Sequence, residues 1–347
     1  MVKRYYGGVI SATQAVVNTS SATGFFNITQ QMQAAQAGTW PPPGLPENTA
    51  AWFGGGYAPG VSSTVQRITY ATDTATSTTR GPLSLARPNL AATGNTTDGW
   101  FGGGGQSTLF SRVDRITYAT DTATASVRGP LSLVRKQFAA AGNSDYGWFG
   151  GGISALNPEG PPYYFYYSTV DRITYATDTA TASVRGPLST SINFLAATGN
   201  TTDGWFGGSG YSTSTVQRIT YATDTATASV RGPLSGGRYG LAAAGNSTDG
   251  WFGGGGNPAA PGAISTVDRI TYATDTATAS VRGPLSLVRY ALAAAGNTTN
   301  GWFGGGATPA AASTVDRITY ATDTVTASVR GPLGMTQQYH AAAGGIQ

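Results

Sequence analysis

Arginine and aspartate are the side chains with the most obvious chemical potential in this chain, and both recur at fixed spacing. Twelve arginines come two per repeat, the first at Arg67, Arg115, Arg172, Arg218, Arg269 and Arg317. The second set is Arg80, Arg128, Arg185, Arg231, Arg282 and Arg330. A converging arginine cluster would grip a carboxylate. Recurrence in every repeat instead predicts scaffold roles, pairing with Asp114, Asp171, Asp268 and Asp316 or with strand-end carbonyls. Gln66 and Gln217 replace that aspartate in two repeats. The Thr-Asp-Thr turns at Asp73, Asp121, Asp178, Asp224, Asp275 and Asp323 could be read as cation ligands. A Ca²⁺ site needs six to eight converging oxygens, however, and isolated turns are better explained by Asx-type hydrogen bonding. There are no cysteines, the only histidine is His340, and Glu47 and Glu159 are the only glutamates. These counts argue against thiolate or His-rich metal sites and against a Ser/His/Asp set. The expectation is no cofactor, no metal, no catalytic residue and no enzymatic activity.

Those residues are positioned by a repeat. Trp-Phe-Gly-Gly begins at Trp52, Trp100, Trp148, Trp205, Trp251 and Trp302, and Arg-Gly-Pro-Leu and Ile-Thr-Tyr-Ala-Thr-Asp-Thr also occur six times. A small-residue string begins at Ala91, Ala139, Ala196, Ala242, Ala293 and Ala341. Periods of this length mark stacked or radial supersecondary units. Each period reads as four strands: a, the Ala-rich run; b, Gly-Trp-Phe-Gly-Gly; c, Ser-Thr-Val-Asp-Arg-Ile-Thr-Tyr-Ala; and d, Thr-Ala-Thr-Ala-Ser-Val-Arg. Strand d stops at Gly-Pro because proline cannot donate to a ladder. The Asp-Gly of Asn246-Ser-Thr-Asp-Gly250 is expected to turn the a–b hairpin.

Four antiparallel strands without helical periodicity predict an all-β, six-bladed β-propeller of four-stranded blades. Small residues suit the axis, where six inner strands converge. The first repeat lacks strand a, and the chain ends on an unpaired one. Ala341–Gly344 is therefore expected to close the first blade beside Ala51 to Gly56. The ring is expected over 47–347, behind a docking segment and Pro-rich linker over 1–46.

The double glycine after strand b, the tyrosine of strand c (Tyr70 and its equivalents), the following Asp turn and the period resemble kelch repeats. Strand d departs from that pattern, carrying Thr or Ala where kelch repeats have Trp. The N-terminal stretches Lys3 to Gln14, Ala22 to Gln33 and Gly38 to Pro41 resemble the opening of structural proteins, such as tail fibre and appendage proteins, from tailed phages of marine cyanobacteria. A short helix from Thr29 through Ala37 and a stiff Pro41–Pro46 spacer are expected there. Tyr5, Tyr6, Phe25, Phe26, Met32 and Trp40 are the candidate virion-docking residues.

With a net charge of +4 spread thinly, nucleic-acid binding is not expected. No run is long and apolar enough to span a membrane or to form a signal peptide, so the expected product is made in the host cytoplasm and resides in the virion. The a–b and c–d turns should form one acidic face, and the variable b–c and d–a loops the other, basic one. Candidate ligand or partner contacts on the variable face are Tyr163, Tyr164, Phe165, Tyr166, Tyr167, Arg135, Lys136, Arg238 and Arg289. The expected function is a phage adhesin, fibre or decoration protein. It would dock to other virion proteins through its N-terminus and recognise a host-surface glycan or protein, with homo-oligomerisation left open. A glycan-cleaving propeller and an intracellular kelch-type adaptor are the alternatives.

Overall fold

A computed structural model describes residues 49–156, 164–210, 213–257 and 262–344, together with the backbone of Val16–Val17 and Ala22–Thr23. Chain contacts divide the protein into Met1–Pro46 and Glu47–Gln347. In the first unit, Val16–Val17 pairs with Ala22–Thr23. The expected Thr29–Ala37 helix lies outside the described residues.

The second unit is a six-bladed β-propeller. Blade 2 is typical, with strand a at Ala91–Gly94, b at Asp98–Gly102, c at Val113–Thr117 and d at Ser126–Arg128, joined as an antiparallel meander. Blades 3 to 6 repeat it over residues 139–185, 196–231, 242–282 and 293–330. Blade 1 takes strands b, c and d from Ala50–Gly54, Val65–Thr69 and Thr78–Arg80, and strand a from Ala341–Gly344. Trp52 pairs with Ala343 and Gly54 with Ala341, so the C-terminal strand closes the ring as expected. The inner strands a contact one another in a complete circuit.

Strand c is shorter than the sequence suggests. Tyr118 and its equivalents begin a one-turn 3-10 helix at the end of strand c. The change of direction lays Tyr118 flat on Trp52 of the preceding blade, with ring centroids 3.7 Å apart. The same stack joins Trp100 to Tyr175, Trp148 to Tyr221, Trp205 to Tyr272, Trp251 to Tyr320 and, across the closure, Trp302 to Tyr70. Each indole Nε1–H donates to the Thr-Asp-Thr aspartate of the next blade, as in Trp52 to Asp121 (2.8 Å) and Trp302 to Asp73 (2.9 Å).

That aspartate is also where the repeat arginines go. Arg67 and Arg80 both reach Asp121 Oδ2, at 3.1 and 3.4 Å, and Arg317 and Arg330 both reach Asp73. The expected pairing of these arginines with Asp114 and its equivalents is thus corrected. So is the reading of the Thr-Asp-Thr aspartates as Asx turns and as an acidic face, since all six are buried between blades. Each carboxylate accepts from the indole and the first arginine and ion-pairs with the second, which offsets the cost of its burial.

The a–b hairpin also turns differently. Asp249 and Gly250 already belong to strand b, and the turn is held by Asn246, whose Oδ1 accepts the N–H groups of Thr248 and Asp249. Asn95, Asn143 and Asn200 in the corresponding turns donate Nδ2–H to a backbone carbonyl of the next blade, each at 3.4 Å.

Candidate functional site

The variable face is built on two backbone devices. The first follows strand b, where two glycines adopt positive φ: Gly55 at 72° and Gly56 at 99°. A Cβ on Gly55 would lie 2.8 Å from the Arg87 carbonyl, and one on Gly56 2.7 Å from that of Gln338. Only glycine permits both the conformation and the approach. The second is a girdle around the axis. Asn89, Gln137, Phe194, Gly240, Ala291 and Tyr339, one from each d–a loop, each donate their N–H to the carbonyl of the previous member at 2.6–3.0 Å. The circuit closes from Asn89 to Tyr339. The five non-glycine members sit at φ of 54° to 62°, a left-handed conformation that costs an L-residue about 1–2 kcal/mol and persists because the ring overdetermines it.

Most of the basic residues expected to charge this face do not reach it. Arg135, Arg238 and Arg289, with Arg87, are buried side chains. Arg135 pairs with Asp171 at 2.9 Å and donates to the carbonyls of Phe149, Gly151 and Thr169. Arg87 pairs with Asp114, Arg238 with Asp268 and Arg289 with Asp316. Burial lowers each guanidinium's pKa below its ordinary value, and the paired carboxylate offsets part of that. These arginines hold the d–a loops to the blades and present no charge to a partner. The sequence carries a signal for this. Where strand c has Gln217 in place of aspartate, the loop position of Arg135 is Ile192, and where it has Gln66 that position is Gln337. Gln66 Nε2 then meets Gln337 Oε1 at 3.2 Å, and Gln217 accepts from Ser189.

Lys136 does reach the face. It is half-buried, with Nζ donating to the Gln106 carbonyl at 3.3 Å and lying 5.7 Å from the Tyr164 ring centroid. Burial lowers its pKa from the usual lysine value. The aromatic loop folds as a hairpin of Ile153–Leu156 with Tyr164–Tyr166, fixed to the d–a loop by reciprocal backbone hydrogen bonds between Ile153 and Lys136, both 3.0 Å. Tyr164, Tyr166 and Tyr167 are half-buried and Phe165 is exposed, while Tyr163 lies outside the described residues. Tyr164, Tyr166, Lys136, Gln137, Asn193 and Phe194 enclose a cleft of about 330 Å³. The structure therefore brings Lys136 together with the aromatic loop and removes the three arginines from it.

Sequence reasoning missed a second aromatic group. Phe194, Tyr239, Tyr290 and Tyr339 form a closed four-ring rosette at the girdle, with neighbouring centroids 6.1–6.3 Å apart. All four are half-buried. Burial and the neighbouring phenol of Tyr290 push the Tyr339 phenol well above its ordinary pKa, so it stays a neutral hydroxyl. Tyr239 and Tyr290 also line a second cleft, of about 400 Å³, with Val288, Thr308 and Pro309. Among the described residues no group of three His, Cys, Asp or Glu side chains is placed to hold a metal. Tyr5, Tyr6, Phe25, Phe26, Met32 and Trp40 lie outside the described residues, as do Glu47 and Glu159.

No family model matches the chain, and no curated protein sequence does. Among solved structures, that of YjhT superposes with a TM-score of 0.63 at 12% identity, covering 83% of this chain and 99% of its own. The likeness is one of fold. It also overturns the expectation that the chain is not an enzyme. A propeller fold shared at 12% identity gives no ground for excluding catalysis.

Proposed function

We propose that this protein is a component of a tailed-phage particle, an adhesin or fibre/decoration protein. Residues 1–46 dock it to other virion proteins, and the face formed by the b–c and d–a loops recognises a host-surface glycan or another virion protein. One observation carries the recognition half of this reading. The blades are nearly identical at their seams, whereas aromatic side chains are gathered, half-exposed, on the one face where the repeats differ. Variable loops on a rigid scaffold are the usual seat of recognition. The particle half rests on the N-terminal resemblance.

Two variants test it. A chain beginning at Asn48 is expected to fold as a ring yet fail to join particles, as read by mass spectrometry of purified virions. Normal incorporation would remove the docking role. Serine at Tyr163, Tyr164, Phe165, Tyr166 and Tyr167 is expected to abolish attachment to host cells with the thermal melt retained. Attachment at the parent level would show that the aromatic loop is not the contact.

A further inference from the structure

The rosette and the two clefts form one surface. Phe194 is shared between the rosette and the first cleft, and Tyr239 and Tyr290 between the rosette and the second. The lining therefore runs from Tyr164 and Tyr166, across the first cleft and the rosette at the girdle, to the Val288 edge. Both clefts fall in the size range of small-ligand pockets. We infer that this surface is a multi-subsite groove for a linear polysaccharide, laid across the axial face with sugar rings on the aromatic rings and hydroxyls toward the flanking polar groups. The inference deepens the recognition reading above by naming the ligand class and its path.

The chemistry of the lining selects this occupant. A pyranose presents a C–H face that packs on an aromatic ring and a rim of hydroxyls that need hydrogen-bond partners. Tyrosine supplies ring and hydroxyl together. Lys136, Gln137 and Asn193 line the first cleft beside Tyr164 and Phe194, and Thr308 lines the second. The twelve positions formed by the girdle residues and the residue preceding each contain no Leu, Ile, Val or Met. Branched aliphatic side chains enter only at the cleft edges, at Ile153 and Val288. Lys136 is the one cation among those twelve positions, so a single acidic substituent is accommodated at that end and a densely charged chain is not. The strained backbone of the girdle also keeps the rings in place before any ligand arrives, which lowers the ordering cost of binding.

Length dependence tests the groove. Purified full-length protein is titrated calorimetrically with cellohexaose and β-1,4-mannohexaose, and with the dimer of each. At least one hexamer is expected to bind about tenfold or more tightly than its dimer, because it spans further stacking subsites. Tyr290→Ala and Tyr164→Ala should each cost the hexamer most of its advantage over the dimer. Should Tyr290→Ala fail to fold, Val288→Arg serves in its place. Val288 is 44% exposed, so arginine there fills the second cleft from its rim. Hexamers that bind no better than dimers, binding indifferent to all three substitutions, or no binding by any of the four sugars would overturn the groove. The assay reads neither particles nor cells. Loss of host attachment in the serine-substituted loop together with no sugar binding would leave the recognition role standing and remove only the polysaccharide.

Discussion

Four of the six blade junctions bury an arginine–aspartate pair beneath the d–a loop, and two do without one. The four are Arg87–Asp114, Arg135–Asp171, Arg238–Asp268 and Arg289–Asp316. The other two use Ile192 over Gln217, and Gln337 with Gln66. Both solutions carry the same girdle and the same Trp–Tyr stacks, so the charged pair is not what makes a propeller seam. Its two members are interdependent. Placing either charge alone in this position would strand it away from water, whereas a neutral couple fills the same space. The junction between blades 6 and 1 differs again, because its loop delivers the one strand a that joins its blade by hydrogen bonds alone, Ala341–Gly344 beside Ala50–Gly54. There the core position filled by Leu90, Phe138, Leu195, Leu241 and Leu292 elsewhere is His340.

The largest expected effect therefore comes from breaking the closing junction. Removing residues 335–347 takes strand a from blade 1, uncovers Trp52 and Phe53 and leaves an open strand edge. The thermal midpoint is expected to fall by about 10 °C or more, or the cooperative transition to disappear. An unchanged melt would mean that the ring does not depend on its closure.

Next in size is the charged junction. Arg135→Ile leaves Asp171 buried and unpaired and should cost about 3–5 kcal/mol by chemical denaturation. Adding Asp171→Gln rebuilds the couple already present at Ile192 and Gln217 and should recover most of that loss. If the double variant is as unstable as the single one, the neutral junction is not transferable and the two kinds of seam are not equivalent.

The ring itself could be read from the sequence because its signals are local and repeated six times. The phase of the repeat even placed Ala341–Gly344 in blade 1. The seams were less legible because their contacts join residues about one blade apart. Tyr118 looked like a strand residue and Asp121 like a turn residue until their shared partner, Trp52, fixed both. Arg135 looked like a surface residue because its loop varies, although Ile192 and Gln337 change in step with Gln217 and Gln66. The aromatic hairpin was visible as an unbroken run. The rosette was not, because Phe194 and Tyr339 occupy one position of the repeat and Tyr239 and Tyr290 the position before it. Only the closed girdle brings the four together.

The smallest expected effect is conditional on pH and concerns His340. It is 5% exposed and packed against Gly305 and Phe53, in a position that is apolar in every other junction. Burial, with a further push from the nearby Arg289 cation, lowers its pKa from 6.5 to about 3, and contact with the Gly304 backbone only partly opposes this. Arg289 is itself paired with Asp316, so the surroundings offer the imidazolium no free counter-charge from that side. The unfolded chain, with an ordinary histidine, takes up a proton near pH 6.5, whereas the folded ring takes it up only near pH 3. Between those values the unfolded state binds more protons, so stability is fully present above pH 6.5 and is lost as pH falls toward 3. The loss approaches a few kcal/mol at the acid end. His340→Leu should melt like the parent or slightly higher at pH 8 and should lack this part of the decline between pH 6.5 and 4. An equal decline in both proteins would place the acid sensitivity elsewhere in the molecule and leave the closing junction no weaker in acid than the other five.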